Sequence, residues 1–129
     1  MATIKAFEDI EAWQMARSLS REIFELTNIG SFSCDFGLRD QINRSSGSIM
    51  DNIAEGFERG GTKEFIQFLA IAKGSAGEVR SQLCRAADRN HLTAEQHILL
   101  KEKTLKISKM INGFILYLRE SNIKGMKFH

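Results

Sequence analysis

The sequence predicts an all-α fold, an antiparallel up-down four-helix bundle in a single domain, on three observations. The 129 residues contain no proline and few β-branched side chains beyond Ile, which favours long uninterrupted helices over sheet. Apolar residues recur at spacings of three and four along most of the chain, the period of a helix that buries one stripe. The polar joints between these stretches are short, so helices adjacent in sequence pack side by side in opposite directions.

The first helix is expected from Glu8 to Thr27, with Ala12, Met15, Ala16, Leu19, Ile23 and Leu26 on one face. NIGSFSCDFG follows as a polar loop. The second helix is expected from Leu38 to Arg59, with Ile42, Ser46, Ile49, Ile53 and Phe57 inward. Gly60-Gly61 ends it, because glycine takes the left-handed conformation of a helix C-terminus without steric cost. Thr62 is expected to cap the third helix. That helix carries an unbroken seam of Phe65, Leu69, Ala72, Ala76, Val79, Leu83 and Ala86.

Asn90-His91-Leu92 forms the next joint. Thr93-Ala94-Glu95-Gln96 reads as a capping box opening the last helix, whose seam is Leu100, Thr104, Ile107, Ile111, Phe114 and Leu118. Two heptad-like seams imply packing at roughly 20° between axes. Residues 1–121 are thus assigned to the bundle, and residues 122–129, NIKGMKFH, to a basic C-terminal tail.

Composition narrows the function classes. Hydrophobic residues make up 43% and charged residues 26%, enough apolar surface for one core without covalent staples. Cys34 and Cys84 form neither a disulfide framework nor a metal-ligand spacing, so two reduced thiols and no metal or other cofactor are expected. MATIKAFEDIEAW has no apolar signal core, and no run approaches the roughly 18 apolar residues of a membrane span. The expectation is a cytoplasmic protein without a membrane partner.

Charge is unevenly placed. Residues 1–61 carry six Lys/Arg against ten Asp/Glu, a balance of −4, and residues 62–129 carry twelve against six, a balance of +6. That asymmetry suits nucleic-acid binding or head-to-tail contact between copies of the chain.

A second stripe runs along the middle helices. Gln41, Ser45, Ser48, Asn52, Glu55 and Arg59 repeat at helical spacing, turned about 100° from the core seam. Ser75, Glu78, Gln82, Arg85 and Arg89 match them on the third helix, and Ala70, Gly77, Ser81 and Cys84 line its far side. A solvated face would favour Lys and Glu, whereas Ser, Asn and Gly weaken a helix. Gly56 costs on the order of 1 kcal/mol against Ala. Close packing between helices or subunits would offset that, so Gln41, Ser48, Asn52, Glu55, Gly56, Ser75 and Glu78 are the expected inter-helix or subunit contacts.

Signals of chemistry are sparse. A di-iron bundle needs paired Glu-x-x-His motifs facing inward, and none occurs. Arg85 and His91, at the joint after the third helix, resemble the Arg-x(4–6)-His signature of helical ribonucleases of the HEPN class. Imidazole would serve there as acid or base and guanidinium would steady phosphate. This is the alternative functional reading. Arg80, Arg85, Arg89, Lys103, Lys106 and Lys109 are the candidate nucleic-acid contacts. They do not share one face and have no aromatic stacking platform.

QINRSSGSIMDNIAEGFERG, followed by EFIQFLAIAKGSAGEV and with FEDIEAW near the start, resembles the four helix bundle family named for the 23S rRNA intervening-sequence protein, the S23 family. The resemblance covers residues 7–120 and places Gln41, Arg44, Ser48, Asn52, Glu55, Gly56, Ser75 and Glu78 on the family's motif positions. It implies an antiparallel bundle assembling as a homopentamer, of bacterial origin. It also implies kinship with the accessory protein of diversity-generating retroelements, which binds a reverse transcriptase and nucleic acid. The functional expectation is a non-enzymatic bundle that self-assembles and scaffolds an RNA, DNA or protein partner.

Overall fold

The computed structural model describes residues 4–123. Among them four α-helices form one all-α domain without strands: α1, Glu11–Thr27; α2, Phe36–Glu58; α3, Thr62–Asp88; and α4, Ala94–Ile123. Helices adjacent in sequence pack on one another, and α1 also meets α4. No described helix is long and apolar enough to cross a membrane.

The core follows the expected seams. Every α3 seam residue is buried, as are Ile42, Ser46, Ile49 and Ile53 of α2 and Leu100, Thr104, Ile107, Ile111 and Leu118 of α4. Phe57 and Phe114 are partly buried instead. They meet Phe65 edge-on, with ring centroids 6.0 and 5.3 Å away, the geometry favoured by opposed ring quadrupoles. In α1, Trp13 and Thr27 are buried beyond the expected seam, while Met15 and Leu26 lie at its margin.

Helix ends correct several boundaries. The first helix does not start at Glu8: Phe7–Asp9 is a 3-10 turn, and α1 begins after Ile10, which is extended and buried. The Asp9 carboxylate accepts the backbone N–H groups of Lys5 and Ala6 at 2.9 and 3.0 Å. Those bonds favour its ionised form and lower its pKa. The loop before α2 contains a second 3-10 turn, Gly30–Cys34. α2 then starts at Phe36, because Asp35 caps it by accepting the Leu38 N–H at 3.4 Å.

Gly60 is left-handed, with φ +81, as its position past a helix end requires. Gly61 rather than Thr62 occupies the N-cap of α3, and Thr62 is already helical. The capping box of α4 is present: the Thr93 N–H donates to Gln96 Oε1 at 2.9 Å, and the Gln96 N–H donates to Thr93 Oγ1 at 3.0 Å. Thr93→Ala removes one of these and is expected to cost about 1 kcal/mol of stability in denaturant unfolding. Because α4 runs through Ile123, the proposed tail boundary at 122 falls inside a helix, and residues 124–129 lie outside the described residues.

Candidate functional site

The polar stripes of α2 and α3 meet each other within the chain. Ser48 Oγ and Ser75 Oγ share a hydrogen bond of 2.9 Å across the helix pair. Asn52 Nδ2 donates to Ser48 Oγ at 2.9 Å and to the Ser48 carbonyl at 2.8 Å. It thereby fixes the hydroxyl that faces Ser75. Nearer the other end, Arg85 Nη1 donates to Gln41 Oε1 at 3.0 Å. Gln82, on the same seam, is buried, and its Oε1 accepts no hydrogen bond among the described residues.

Gly56 explains its own presence. A Cβ there would stand 2.6 Å from Phe68 Cβ and 2.9 Å from Phe65 Cδ1, inside van der Waals contact, so α3 packs directly on the α2 backbone. Of the expected stripe, Gln41, Ser48, Asn52, Gly56 and Ser75 therefore serve the α2–α3 contact. Glu55 turns along its own helix to Arg59 at 2.6 Å, and Glu78 is exposed. On the far side of α3, Ala70, Ser81 and Cys84 are exposed, and a Cβ on Gly77 would meet nothing within 4 Å.

A second polar cluster occupies the end of the molecule where the α1–α2 loop meets the α3–α4 joint. Asn90 is left-handed, with φ 61. The His91 N–H reaches the Ala86 carbonyl at 2.9 Å and the Asn90 N–H reaches Ala87 at 3.0 Å. This is the Schellman closure of α3, and asparagine tolerates its left-handed residue. The closure sets the His91 ring against buried Phe32, stacked at 4.9 Å. His91 Nε2 lies 2.9 Å from Asp35 Oδ2, and Nδ1 lies 2.8 Å from Ser31 Oγ.

The Asp35 carboxylate only accepts, so Nε2 carries a proton towards it, and Nδ1 faces the Ser31 hydroxyl. Arg89 Nη1 adds a 2.8 Å ion pair to the same Asp35 oxygen. The hydrogen bond from His91, then that from Arg89, lowers the Asp35 pKa from 3.8 to about 2.

These contacts separate the two residues of the nuclease reading. Arg85 is held by Gln41, and His91 is held by Ser31 and Asp35. The cation that shares a partner with His91 is Arg89. Asp35 is the functional residue that apolar periodicity does not reveal; its signal in the sequence is that an Asp immediately before an apolar-periodic stretch marks a helix start.

The candidate nucleic-acid contacts also divide. Arg85 and Arg89 are engaged as described, and Lys103 bonds Ser18 Oγ at 2.8 Å and pairs with Glu22. Lys106 and Lys109 are exposed, and Arg80 is half-buried. Among the described residues no group of three or more His, Cys, Asp or Glu stands together as a metal site.

Fold and site together define a class: an all-α, four-helix chain whose middle helices are joined by a small-residue polar seam. The chain belongs to the 23S rRNA-intervening sequence protein family, whose model matches residues 8–113. It is similar to the crystal structure of a protein with unknown function from the S23 ribosomal protein family of Bacteroides thetaiotaomicron VPI-5482. Identity is 24% and the TM-score 0.75, over 81% of this chain and 94% of that one. The comparison with curated proteins returns no match.

Proposed function

We propose that this chain is a non-enzymatic building block of the bacterial cytoplasm. It is an antiparallel up-down bundle that assembles with copies of itself as a homopentamer and scaffolds a nucleic-acid or protein partner, a reverse transcriptase being one protein of that kind. The antiparallel reading is supported by cross-helix pairs whose numbers run in opposite directions: Asp35 with Arg89, Gln41 with Arg85, and Ser48 with Ser75.

The observation that carries self-assembly is the outward side of α4. Ile98, Leu99, Leu116 and Tyr117 are 56%, 60%, 54% and 43% exposed. Gly113 lies on the same helix, where a Cβ would meet nothing within 4 Å. Apolar side chains around the whole circumference of a helix mark one that is covered on more than one side. Lys106 and Lys109 lie on the same side of α4, between the Ile98/Leu99 and Leu116/Tyr117 pairs, and the acidic balance of residues 1–61 gives another copy the charge to meet them.

Light scattering of the purified protein is expected to give a mass several times 14.6 kDa, falling to the monomer mass for Leu116→Glu with helix content retained. A wild-type monomer at micromolar concentration would overturn the assembly reading. RNA or DNA binding is expected to weaken as salt rises and with Lys106→Gln/Lys109→Gln. Binding indifferent to both would remove phosphate as the contact.

A further inference from the structure

Cys84 Sγ lies 3.7 Å from His97 Nε2, across the α3–α4 contact. The thiol is exposed and the imidazole half-buried, so a reagent reaches the sulfur while the ring is held beside it. Nucleophilic cysteines depend on such a base, because the thiolate is the reacting form. Cys34 offers a contrast inside the same chain. It is also exposed, and its sulfur meets Ser33 Oγ at 3.9 Å, a weak partner that takes up no proton.

Charge around the pair leans positive. Arg80 stands one helical turn before Cys84 on α3, and Lys101 one turn after His97 on α4. Asp88, one turn after Cys84, adds a negative charge on the same helix face. Residues four apart share a helix face, so Arg80 and Asp88 share a face of α3 with the thiol, and Lys101 shares a face of α4 with the imidazole.

We propose that Cys84 and His97 form a thiol–imidazole pair that makes Cys84 a modification site for anionic low-mass disulfides. His97 Nε2 takes the thiol proton, and the resulting thiolate attacks one sulfur of the incoming disulfide. A new S–S bond forms at Cys84 while the S–S bond of the reagent breaks. Its second half leaves as a thiolate and takes up a proton. The disulfide itself is the oxidant. Arg80 and Lys101 favour reagents that carry carboxylates.

The test uses the full chain with oxidised glutathione as the probe, and peptide mass mapping to follow both cysteines at neutral pH. Cys84 is expected to form the mixed disulfide several-fold faster than Cys34, and the difference is expected to vanish in the urea-unfolded chain. His97→Gln is expected to bring Cys84 down to the Cys34 rate with helix content unchanged. Arg80→Gln/Lys101→Gln is expected to slow oxidised glutathione but not cationic cystamine. Equal rates at the two cysteines in the folded wild-type protein, which need no variant to fold, would overturn the proposal. So would a His97→Gln protein whose Cys84 keeps its advantage.

Discussion

Gly56→Ala is expected to lower stability by roughly 1–3 kcal/mol, although alanine is the better helix former by about 1 kcal/mol. The added Cβ would stand 2.6 Å from the Cβ of Phe68. A Cβ is anchored to its backbone, so the clash is relieved only by moving α3 away from α2. That movement would stretch the Ser48–Ser75 hydrogen bond two turns away. Gly74→Ala supplies the comparison, since a Cβ there meets nothing within 4 Å. It is expected to stabilise the chain by up to about 1 kcal/mol. Urea unfolding of both variants at one protein concentration decides the matter. A Gly56→Ala protein as stable as Gly74→Ala would refute direct backbone packing.

Loss of His91 should cost about as much. His91→Ala removes the stack on Phe32 and both ring hydrogen bonds, for roughly 1–3 kcal/mol. It also leaves Asp35 to Arg89 and the α2 N-cap alone. The same cluster sets an acid dependence. The folded-state pKa of Asp35 lies at about 2, below its ordinary 3.8. Its stabilising contribution is therefore complete above the ordinary value and is lost as pH falls from about 4 towards 2. Thermal unfolding of the wild type between pH 5 and 2 should show this decline. Asp35→Asn, which keeps a capping oxygen but not the charge, should show a shallower one. Identical profiles would place the acid sensitivity elsewhere.

The helices were legible because apolar spacing encodes which side of each is buried. Leu19, Ile49, Leu69 and Ile107 were all expected inside and are. Spacing alone puts Phe57 and Phe114 in the core, but aromatic rings at the edge of a seam touch the core with one edge and leave the other in solvent. Glu8 and Asp9 look helical in isolation, yet α1 begins only after Ile10. The Asp9 carboxylate instead closes a separate turn, and burial of Ile10 sets the direction in which α1 begins.

The candidate site was legible as a stripe and illegible as a set of partners. Spacing put Ser48, Asn52 and Gly56 on one side of α2, and weak helix propensity marked them as held by something. What holds the seam of Ser48, Asn52 and Gly56 is Ser75, Phe65 and Phe68 of the same chain, and sequence alone left open a neighbouring copy. Arg85 and His91 were brought together by a short spacing rule. Their directions separate because Arg85 is still helical while His91 lies beyond the left-handed Asn90.

By itself the sequence determined the class of this protein, four helices around one apolar seam, since periodicity, glycine placement and capping are local properties of neighbouring residues. The tertiary structure alone decided that Gly56 is a contact between α2 and α3, that Asp35 gathers Arg89 and His91, and that Cys84 meets His97. Those pairs join residues far apart along the chain, and their meeting depends on how each helix is rotated about its axis and where its ends fall.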